Sequence, residues 1–369
     1  MLNDYSSSVL VKTSDLPIRH VGQVHDGKVR SVYWLSPEDS YNLIKQEGYD
    51  AYLDTQLGVQ IISDRISAYD VNWGFTGGIG GVVGKGASLN AISEHWFDDF
   101  DAAGITGNHI LERPHPMVWI VQKADPALSV EGIGRQYITG GMWRDYDAGS
   151  RNFCGIDIQD GLAKNQELEN LLITPTTKGI VYGIPGVPEE EDTNISRQQI
   201  IDNYKAFGFK KVDDVELYEI LLTDGFKIIS DKLRSIGEIL VDTKFEFGYV
   251  RDLNGNYKLI YIDEVGTPDS SRYWNLNEYL RGNVVENSKE IFRSNLLDNF
   301  DNDIFLDKTR MAEREQFAKN KELPIAWMEE LSETYMVLAK KITGKKVEIS
   351  DDPKTEIVEA LDSLGLIKH

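Results

Sequence analysis

Cysteine is nearly absent from this sequence, because Cys154 is the only one among 369 residues. A single thiol excludes an intramolecular disulfide and a zinc site with four cysteine ligands. No base lies beside Cys154 in the sequence, so a nucleophilic cysteine is not indicated either. The six histidines show no metal-binding spacing such as HExxH. Thiol chemistry and a preformed zinc site are therefore not expected.

An excess of positive charge is also missing. With 39 lysines and arginines against 60 acidic residues, the formal net charge is −21. This balance argues against nucleic acid and against an anionic membrane as partners, because both bind basic surfaces. A phosphorylated small molecule is still allowed, since it needs only a few well-placed cations.

Long apolar runs are absent as well. No stretch approaches about 18 uninterrupted apolar residues, so no membrane-spanning helix is predicted. The stretch MLNDYSSSVLVKTSDLP has no basic segment followed by an apolar run, so we expect no signal peptide. Together with the single thiol, these features favour a cytoplasmic protein. The sequence does not indicate its oligomeric state.

Strand and helix patterns follow one another in mixed order, without regular βαβ alternation, which predicts an α+β fold. We expect an N-terminal sheet lobe over residues 1–124, which includes a glycine-rich loop at 74–86. A larger α+β lobe over 125–369 follows, with a hairpin at 238–265 and C-terminal helices. Residues 145–195 are rich in glycine, proline and acids, which indicates long loops.

The stretch VDTKFEFG (241–248) alternates between two faces of a predicted strand. Phe245 and Phe247 share one face. The other face carries two acids and a base, Asp242, Lys244 and Glu246. A solvated sheet face is the ordinary explanation of such a pattern, and a binding site is the alternative.

The residues after this strand predict a hairpin. Asn254-Gly255 is typical of a two-residue turn, which would place Glu246 directly opposite Asp263. Two facing carboxylates repel, so we expect a compensating divalent cation such as Mg²⁺, bridging to phosphate oxygens. Lys244 could hold a substrate anion beside them. A three-residue loop would instead pair Glu246 with Glu264.

Four further stretches carry polar residues that suit an anion: GKVR (27–30), SDRISAYD (63–70), TPTTK (174–178) and DEVGTPDSSRYW (263–274). In the last of these, Arg272 offers a planar fork for carboxylate or phosphate. The alternatives are a surface turn for GKVR, a self-capped loop for SDRISAYD, and a proline turn with a helix cap for TPTTK. No Walker P-loop, GxGxxG or kinase HRD or DFG motif is present.

Eight stretches in order resemble the SAICAR synthetase family, covering about residues 25–275: GKVRSVY, SDRISAYD, GKGASLNAISEHWF, GRQYITGGMW, TPTTK, NIS, VDTKFEFG and DEVGTPDSSRYW. The resemblance implies an N-terminal antiparallel-sheet lobe related to kinase and ATP-grasp nucleotide folds. It also implies a ligase of de novo purine biosynthesis that uses ATP and Mg²⁺. Such a ligase joins L-aspartate to the carboxylate of the ribonucleotide CAIR through an acyl phosphate. The rivals are another ATP-dependent kinase or ligase on this fold and a catalytically silent nucleotide-binding protein.

The resemblance also implies roles for single residues. ATP would be held by Gly27, Lys28, Arg30, Lys123, Glu131, Glu246 and Asp263, of which Glu246 and Asp263 would also bind Mg²⁺. CAIR would be held by Arg135, Lys244, Ser271 and Arg272, with Asp242 beside them, and Asp269 would be a further substrate-binding residue. Catalysis would rest on Asp242, Lys244 and Arg272. L-Aspartate would lie near Asp64, Arg65, Ser67, Asp70 and Lys178.

The chain departs from the family pattern in the predicted substrate loops. Gly141 stands where a serine is expected, and Glu191 stands where a histidine is common. The segment before Arg135, Gly132-Ile133-Gly134, is smaller than the bulky apolar segment that is usual there. These departures bear on how the substrate loops are built.

Overall fold

The computed structural model describes residues 7–368. Residues 1–6, which begin the stretch considered for a signal peptide, and residue 369 lie outside the described part. Helices and antiparallel sheets are mixed along the chain, which confirms the predicted α+β class. The relation to kinase and ATP-grasp folds stays a prediction. Among the described helices, none combines the length and the apolar character that crossing a membrane requires.

The strands are β1 (His25–Asp26), β2 (Arg30–Trp34), β3 (Leu57–Ile62), β4 (Ile66–Ala68), β5 (Val71–Trp73), β6 (Ile110–His115), β7 (Val118–Gln122), β8 (Ala127–Tyr137), β9 (Asn152–Phe153), β10 (Ile156–Asp157), β11 (Glu167–Ile173), β12 (Thr176–Thr177), β13 (Glu238–Arg251), β14 (Tyr257–Ile262) and β15 (Ser271–Asn275). The α-helices are α1 (Pro37–Glu47), α2 (Lys85–Ala102), α3 (Gly140–Asp147), α4 (Arg197–Asp202), α5 (Asp214–Ser235), α6 (Leu276–Leu280), α7 (Glu290–Asn299), α8 (Asn302–Leu306), α9 (Met311–Asn320), α10 (Ile325–Thr343) and α11 (Pro353–Ser363).

Two larger sheets form the framework. The first has the order β1-β2-β3-β7-β6, and the second has the order β11-β8-β13-β14. Strand β12 pairs with β8, and β15 pairs with the first half of β13. Strand β13 therefore lies between β8 on one side and both β14 and β15 on the other. The predicted lobe division at residue 124 falls between the two sheets and stays a prediction.

The apolar face of β13 anchors the core, as its alternation predicts. Phe245 and Phe247 are fully buried. The ring of Phe247 lies 4.8 Å from that of Tyr261 on β14, centroid to centroid, and Tyr218 of α5 packs on it edge-on. Burying such rings removes large apolar areas from water. The opposite face of the strand is thereby held in one orientation.

Helix ends follow the local sequence. Helix α1 begins after Ser36, whose hydroxyl accepts the N–H of Asp39, and Gly48, with φ 69°, follows its last residue. Helix α10 begins directly after Pro324, and Gly344, with φ 72°, follows its last residue. Proline fixes a helical φ at a start, and glycine adopts the left-handed conformation at an end without strain.

Residues 178–195 form the long loop that the composition of 145–195 indicates, but the part before them does not. It contains β9 to β12, and β11 forms the edge of the second sheet against β8. The edge position explains the weak signal, because Glu167 and Glu169 face solvent while Leu168 and Leu172 pack inward.

The small residues before Arg135 allow helix α5 to pack directly on β8. A Cβ atom at Gly132 would lie 2.6 Å from Leu222 Cδ1 and 2.7 Å from the hydroxyl of Tyr218, both of which are buried. We expect Gly132→Ala to lower the free energy of unfolding by about 1–3 kcal/mol through overpacking. Denaturant unfolding measures the change. Gly107→Ala is the matched control, because its Cβ would meet only Lys258 Nζ at 3.8 Å. Equal stability of both variants would contradict the close packing.

Candidate active site

Three adjoining cavities form one cleft. The sheet cavity, of about 630 Å³, lies between the two sheets and is lined by Val32, Trp34, Val121, Ile262 and a set of charged residues. The arginine cavity, of about 370 Å³, is lined by residues of β8, β13, β15 and the start of α7. The turn cavity, of about 410 Å³, is lined by Ser67–Asp70 and by residues that it shares with the arginine cavity.

Shared walls make the cleft continuous. Lys244 lines the sheet and arginine cavities, and Lys28 lines the sheet and turn cavities. Asp269 and Arg272 line both the arginine and the turn cavity. A ligand in any one cavity is therefore next to the other two.

The structure places the predicted site residues as follows. Gly27, Lys28, Arg30, Lys123, Lys178, Lys244, Glu246 and Asp263 line the sheet cavity. Arg135, Asp242, Lys244, Asp269, Ser271 and Arg272 line the arginine cavity. Lys28, Ser67, Asp70, Asp269 and Arg272 line the turn cavity. Glu131, Asp64 and Arg65 are outside these linings.

The predicted pairing of Glu246 with Asp263 is wrong. Glu246 is opposite Ile262 on β14, and Asp263 follows the end of that strand with φ 60°. The alternative partner, Glu264, is wrong too, because the register is displaced by one residue in the other direction.

Hydrogen bonds within the hairpin loop explain this shift of the register by one residue. The side chain of Asp252 accepts the N–H groups of Asn254 and Asn256, at 2.9 and 2.8 Å. The Asp252 N–H also donates to the carbonyl of Asn256, which closes a three-residue loop with Gly255 at φ 81°. Three-residue hairpin loops with a left-handed glycine are a common alternative to the two-residue turn.

Glu246 nevertheless faces a second carboxylate across a ladder, and that residue is Glu131 of β8. Like charges at such positions repel, so compensation is required. Lys244 Nζ provides it, at 2.7 Å from Glu131 Oε1 and 2.8 Å from Glu246 Oε1. Lys178 forms an ion pair with the other oxygen of Glu246. Two lysines therefore neutralise two acids at the wall of the sheet cavity.

These contacts also set the proton affinity of the lysines. Burial by itself lowers the pKa of Lys244, but Glu131 and Asp263 outweigh it and the pKa is raised overall. For Lys178 burial prevails over the nearby acids, so its pKa is lowered. Lys244 is therefore a fixed positive charge in the cleft.

Asp263 joins the same group of charges through Arg30. The guanidinium of Arg30 contacts Asp263 at 3.3 Å and Glu264 at 2.8 Å. Burial would raise the pKa of Asp263, but Arg30, Lys178 and Lys244 lower it to about 2. Asp263 is thus ionised at neutral pH and is one of the oxygen donors of this cavity.

Asp242 holds two arginines that converge on the arginine cavity. It is directly opposite Arg135 on β8 and Arg272 on β15. Arg135 Nη1 lies 3.4 Å from Asp242 Oδ2, and Arg272 forms an ion pair with the same oxygen. Arg272 Nη2 lies 3.5 Å from Glu290 as well. Both guanidinium groups are thereby oriented, and they suit a phosphate or carboxylate ligand.

The turn between β4 and β5 forms one wall of the turn cavity. Tyr69 and Asp70 have φ values of 53° and 68°, a conformation that costs energy for residues with side chains. Asp70 forms an ion pair with Lys28 across the cavity, and Arg314 of α9 donates to the carbonyl of Tyr69 at 2.9 Å. Strained backbone held by such contacts is common at binding sites.

Asp64 and Arg65 support the backbone beside the cleft instead of lining it. Asp64 accepts the N–H groups of Leu10 and Gly86, both at 2.8 Å, and burial raises its pKa to about 6. Arg65 donates to Ser63 at 2.9 Å and to the carbonyl of Gly27 at 3.0 Å. Arg65 therefore fixes the loop that carries Lys28.

Several charged residues of the cleft were not predicted from the sequence, namely Arg144, Lys289, Glu290 and Arg293. The spacing of Lys289 and Arg293 on one helix face was an available signal, but a solvated face has the same pattern. Lys85, at the start of the GKGASLNAISEHWF stretch, is fully buried against Asp269.

Comparisons with known proteins agree with this geometry. The family model for SAICAR synthetase matches residues 23–304. The phosphoribosylaminoimidazole-succinocarboxamide synthase of Psychromonas ingrahamii is 57% identical over 364 residues, which cover 98% of this chain and 99% of that protein. The enzyme of the same name from Vibrio cholerae is 55% identical over 366 residues, covering 99% of both chains.

Solved structures share the fold. A SAICAR synthase from Saccharomyces cerevisiae, complexed with SAICAR, has a TM-score of 0.64 at 24% identity and covers 92% of this chain and 99% of its own. A SAICAR synthetase in complex with ADP has a TM-score of 0.57 at 20% identity, covering 89% and 100%. The match of the family model over most of the chain, with full-length relatives above half identity, shows that the chain belongs to the SAICAR synthetase family, which comprises ligases of purine biosynthesis.

Proposed function

We propose that the protein joins L-aspartate to the imidazole carboxylate of carboxyaminoimidazole ribonucleotide (CAIR), with conversion of ATP to ADP and phosphate. The continuous cleft carries this proposal, because it sets a partly apolar cavity beside two cavities rich in cations. Those properties suit a nucleotide, a phosphorylated carboxylate and an amino acid as neighbours.

The reaction needs an activated carboxylate, because a carboxylate is a poor acyl electrophile. An oxygen of the CAIR carboxylate attacks the γ-phosphorus of ATP, and the bond to ADP breaks. The amine of L-aspartate then attacks the acyl carbon, phosphate leaves with its oxygen, and the nitrogen loses a proton. Phosphoryl transfer depends mainly on positioning and charge stabilisation, so a site of cations and acids without a nucleophile is adequate.

ATP fits the sheet cavity. Val32, Trp34 and Val121 offer an apolar wall for the base. Lys28 and Arg30, which precede Val32 along the same lining, suit the phosphates. Lys123 donates to Gln56 at 3.0 Å and lies over the ring of Trp34, so it would border the base. Glu131 would contribute to ATP binding only indirectly, through its ion pair with Lys244.

Mg²⁺ fits the donor set that Glu246 and Asp263 provide. Both are hard oxygen donors at the cavity that would hold the phosphates. Within residues 7–368, no group of three or more histidine, cysteine or acidic side chains could bind a metal alone. Mg²⁺ is commonly held by one or two carboxylates together with nucleotide phosphates, and when bound it neutralises developing phosphate charge.

CAIR fits the arginine cavity. Arg135 and Arg272 converge there, with Ser271 beside them, and suit the phosphate and the carboxylate. Lys244 lines both this cavity and the sheet cavity, so it would stabilise the charge on the transferred phosphoryl group. Asp242 would act by keeping the two guanidinium groups in place.

L-Aspartate fits the turn cavity beside Ser67 and Asp70. The lining there also includes Arg144 and Arg293, which suit its two carboxylates. Lys178 is directed at Glu246 of the sheet cavity, so its proposed role shifts towards the nucleotide. Asp64 and Arg65 would support this site only through the backbone that they bind.

The test is an incubation of the purified protein with CAIR, L-aspartate, ATP and Mg²⁺, followed by chromatography of the products. SAICAR and ADP should form in equal amounts, and each should require L-aspartate for sustained turnover. Turnover of ATP without L-aspartate would favour a kinase on this fold. ATP binding without any turnover would indicate a silent nucleotide-binding protein, and either result would overturn the proposal.

The pH dependence of CAIR binding follows from Lys289, which lines the arginine cavity. Burial lowers the pKa of Lys289 to about 8, although Asp269 opposes the shift. The lysine is therefore charged below pH 8 and loses its charge above it, so the KM for CAIR should rise by up to about tenfold per pH unit above 8. Steady-state kinetics from pH 6.5 to 9.5 measure this. Lys289→Arg should flatten the profile, because arginine keeps its charge; an unchanged profile would contradict the assignment.

A further inference from the structure

A buried carboxylate links the substrate cavities to the C-terminal part of the chain. The side chain of Asp269 is 4% exposed, yet it lines both the arginine and the turn cavity. Its Oδ2 lies 2.8 Å from Lys85 Nζ and 3.8 Å from Lys289 Nζ. Its Oδ1 accepts the hydroxyl of Tyr335 on α10, at 2.5 Å. Helix α10 lies beyond residues 23–304, the part that the family model matches.

The three partners of Asp269 have different surroundings. Lys85 and Tyr335 are fully buried, so neither can contact a substrate. Lys289 is 13% exposed and faces the cavities. Burial would raise the pKa of Asp269, but Lys289, Lys85 and the Tyr335 hydroxyl lower it overall, so the carboxylate is ionised. The single negative charge of Asp269 is therefore shared between the buried Lys85 and Lys289, which faces the cavities.

We propose that Tyr335 is a positioning residue, which orients Asp269 and thereby keeps the ammonium group of Lys289 directed into the anion-binding cavities. The hydroxyl occupies Oδ1, so Oδ2 is left for the two lysines. Without that donor, Oδ1 would be buried without a partner, and the carboxylate would turn towards the nearest cation. The C-terminal helix would thus contribute to substrate affinity without touching substrate.

This inference rests on the proposed binding of an anionic substrate in the arginine cavity. The variant Tyr335→Phe removes only the hydroxyl and keeps the packed ring. We expect the KM for CAIR to rise about tenfold, which corresponds to the loss of one hydrogen bond to a charged group, while kcat changes less than twofold. The KM for ATP should stay within twofold, since Asp269 is not part of the sheet cavity.

Ser332→Ala is the matched control on the same helix. The hydroxyl of Ser332 is buried and donates to the carbonyl of Val83 at 2.7 Å, so its loss also removes one tether of α10. It does not contact Asp269. Both variants should show a similar modest decrease in Tm, but only Tyr335→Phe should raise the KM for CAIR. An equal KM increase in both would mean that α10 acts only through stability, and would overturn the proposal.

A double-mutant experiment tests whether the effect of Tyr335 depends on Lys289. In a Lys289→Met background, Tyr335→Phe should produce no further increase in the KM for CAIR, because the group it positions is gone. An additive effect would contradict a route through Lys289.

Calorimetry with inorganic phosphate and the full-length protein repeats the comparison without turnover. The wild type could make no SAICAR while Tyr335→Phe, but not Ser332→Ala, binds phosphate less tightly than the wild type. In that case the proposed function fails and the positioning role stands. Unchanged phosphate affinity in Tyr335→Phe, or no phosphate binding by the wild type, would refute the positioning role.

Discussion

Replacing Glu246 by glutamine should lower kcat by about a hundred- to a thousandfold while the protein stays folded. The substitution removes a charged oxygen donor at the proposed Mg²⁺ and phosphate site, and one preorganised charge at a reacting centre is commonly worth that much. The remaining amide keeps the shape of the side chain. Two effects on stability oppose each other, namely the loss of ion pairs with Lys178 and Lys244 and the relief of repulsion from Glu131.

The measurement is a titration of activity with Mg²⁺ at saturating ATP, for the wild type and for Glu246→Gln. The variant should need more Mg²⁺ and should not regain full activity. Glu167→Gln is the control, because Glu167 lies on β11 of the same sheet, is paired with Arg234, and is 45% exposed. Activity of Glu246→Gln that matches the wild type at limiting Mg²⁺ would exclude the metal role.

The faces of β13 could be predicted from sequence, whereas its partners could not. Alternation is a local property, so the shared face of Lys244 and Glu246 follows from spacing alone, and a distance of 2.8 Å between their charged atoms agrees with it. The register with β14 depends on both the length and the position of the loop, which spans residues 253–255 because Asp252 pairs with Asn256. Both are set by the side chain of Asp252, which binds two backbone N–H groups of its own turn.

Contacts between distant segments explain the rest of what sequence reasoning missed. Glu131 is opposite Glu246 although more than a hundred residues separate them, and no pattern in either strand announces the pairing. The idea that facing carboxylates require compensating charge was sound, but the compensating groups are Lys244 and Lys178. Similarly, nothing in the GKG sequence indicates that Lys85 is buried against Asp269. Long-range pairing of this kind depends on the whole fold.

Replacing Arg272 by lysine should lower kcat/KM for CAIR by at least about a hundredfold, even though the charge is kept. Asp242 and Glu290 hold the guanidinium in one orientation at the lining of the arginine cavity. Space there is tight, since a Cβ atom on Gly140 would lie 2.6 Å from Arg272 Nη2. An ammonium group cannot contact both acids and still offer a planar pair of donors to a phosphate or carboxylate.

The kinetics should separate this effect from damage to the nucleotide site. The KM for ATP should change less than twofold in Arg272→Lys, because Arg272 lines the arginine and turn cavities but not the sheet cavity. Arg151→Lys is the matched control, since Arg151 pairs with the exposed Asp160 at 2.6 Å, away from the cleft. Loss of ATP affinity with an unchanged KM for CAIR would indicate that Arg272 binds the nucleotide instead of CAIR. An unaltered kcat/KM for CAIR would mean that the guanidinium of Arg272 has only a structural role. Arg135 and Lys289 alone would then bind the substrate anion.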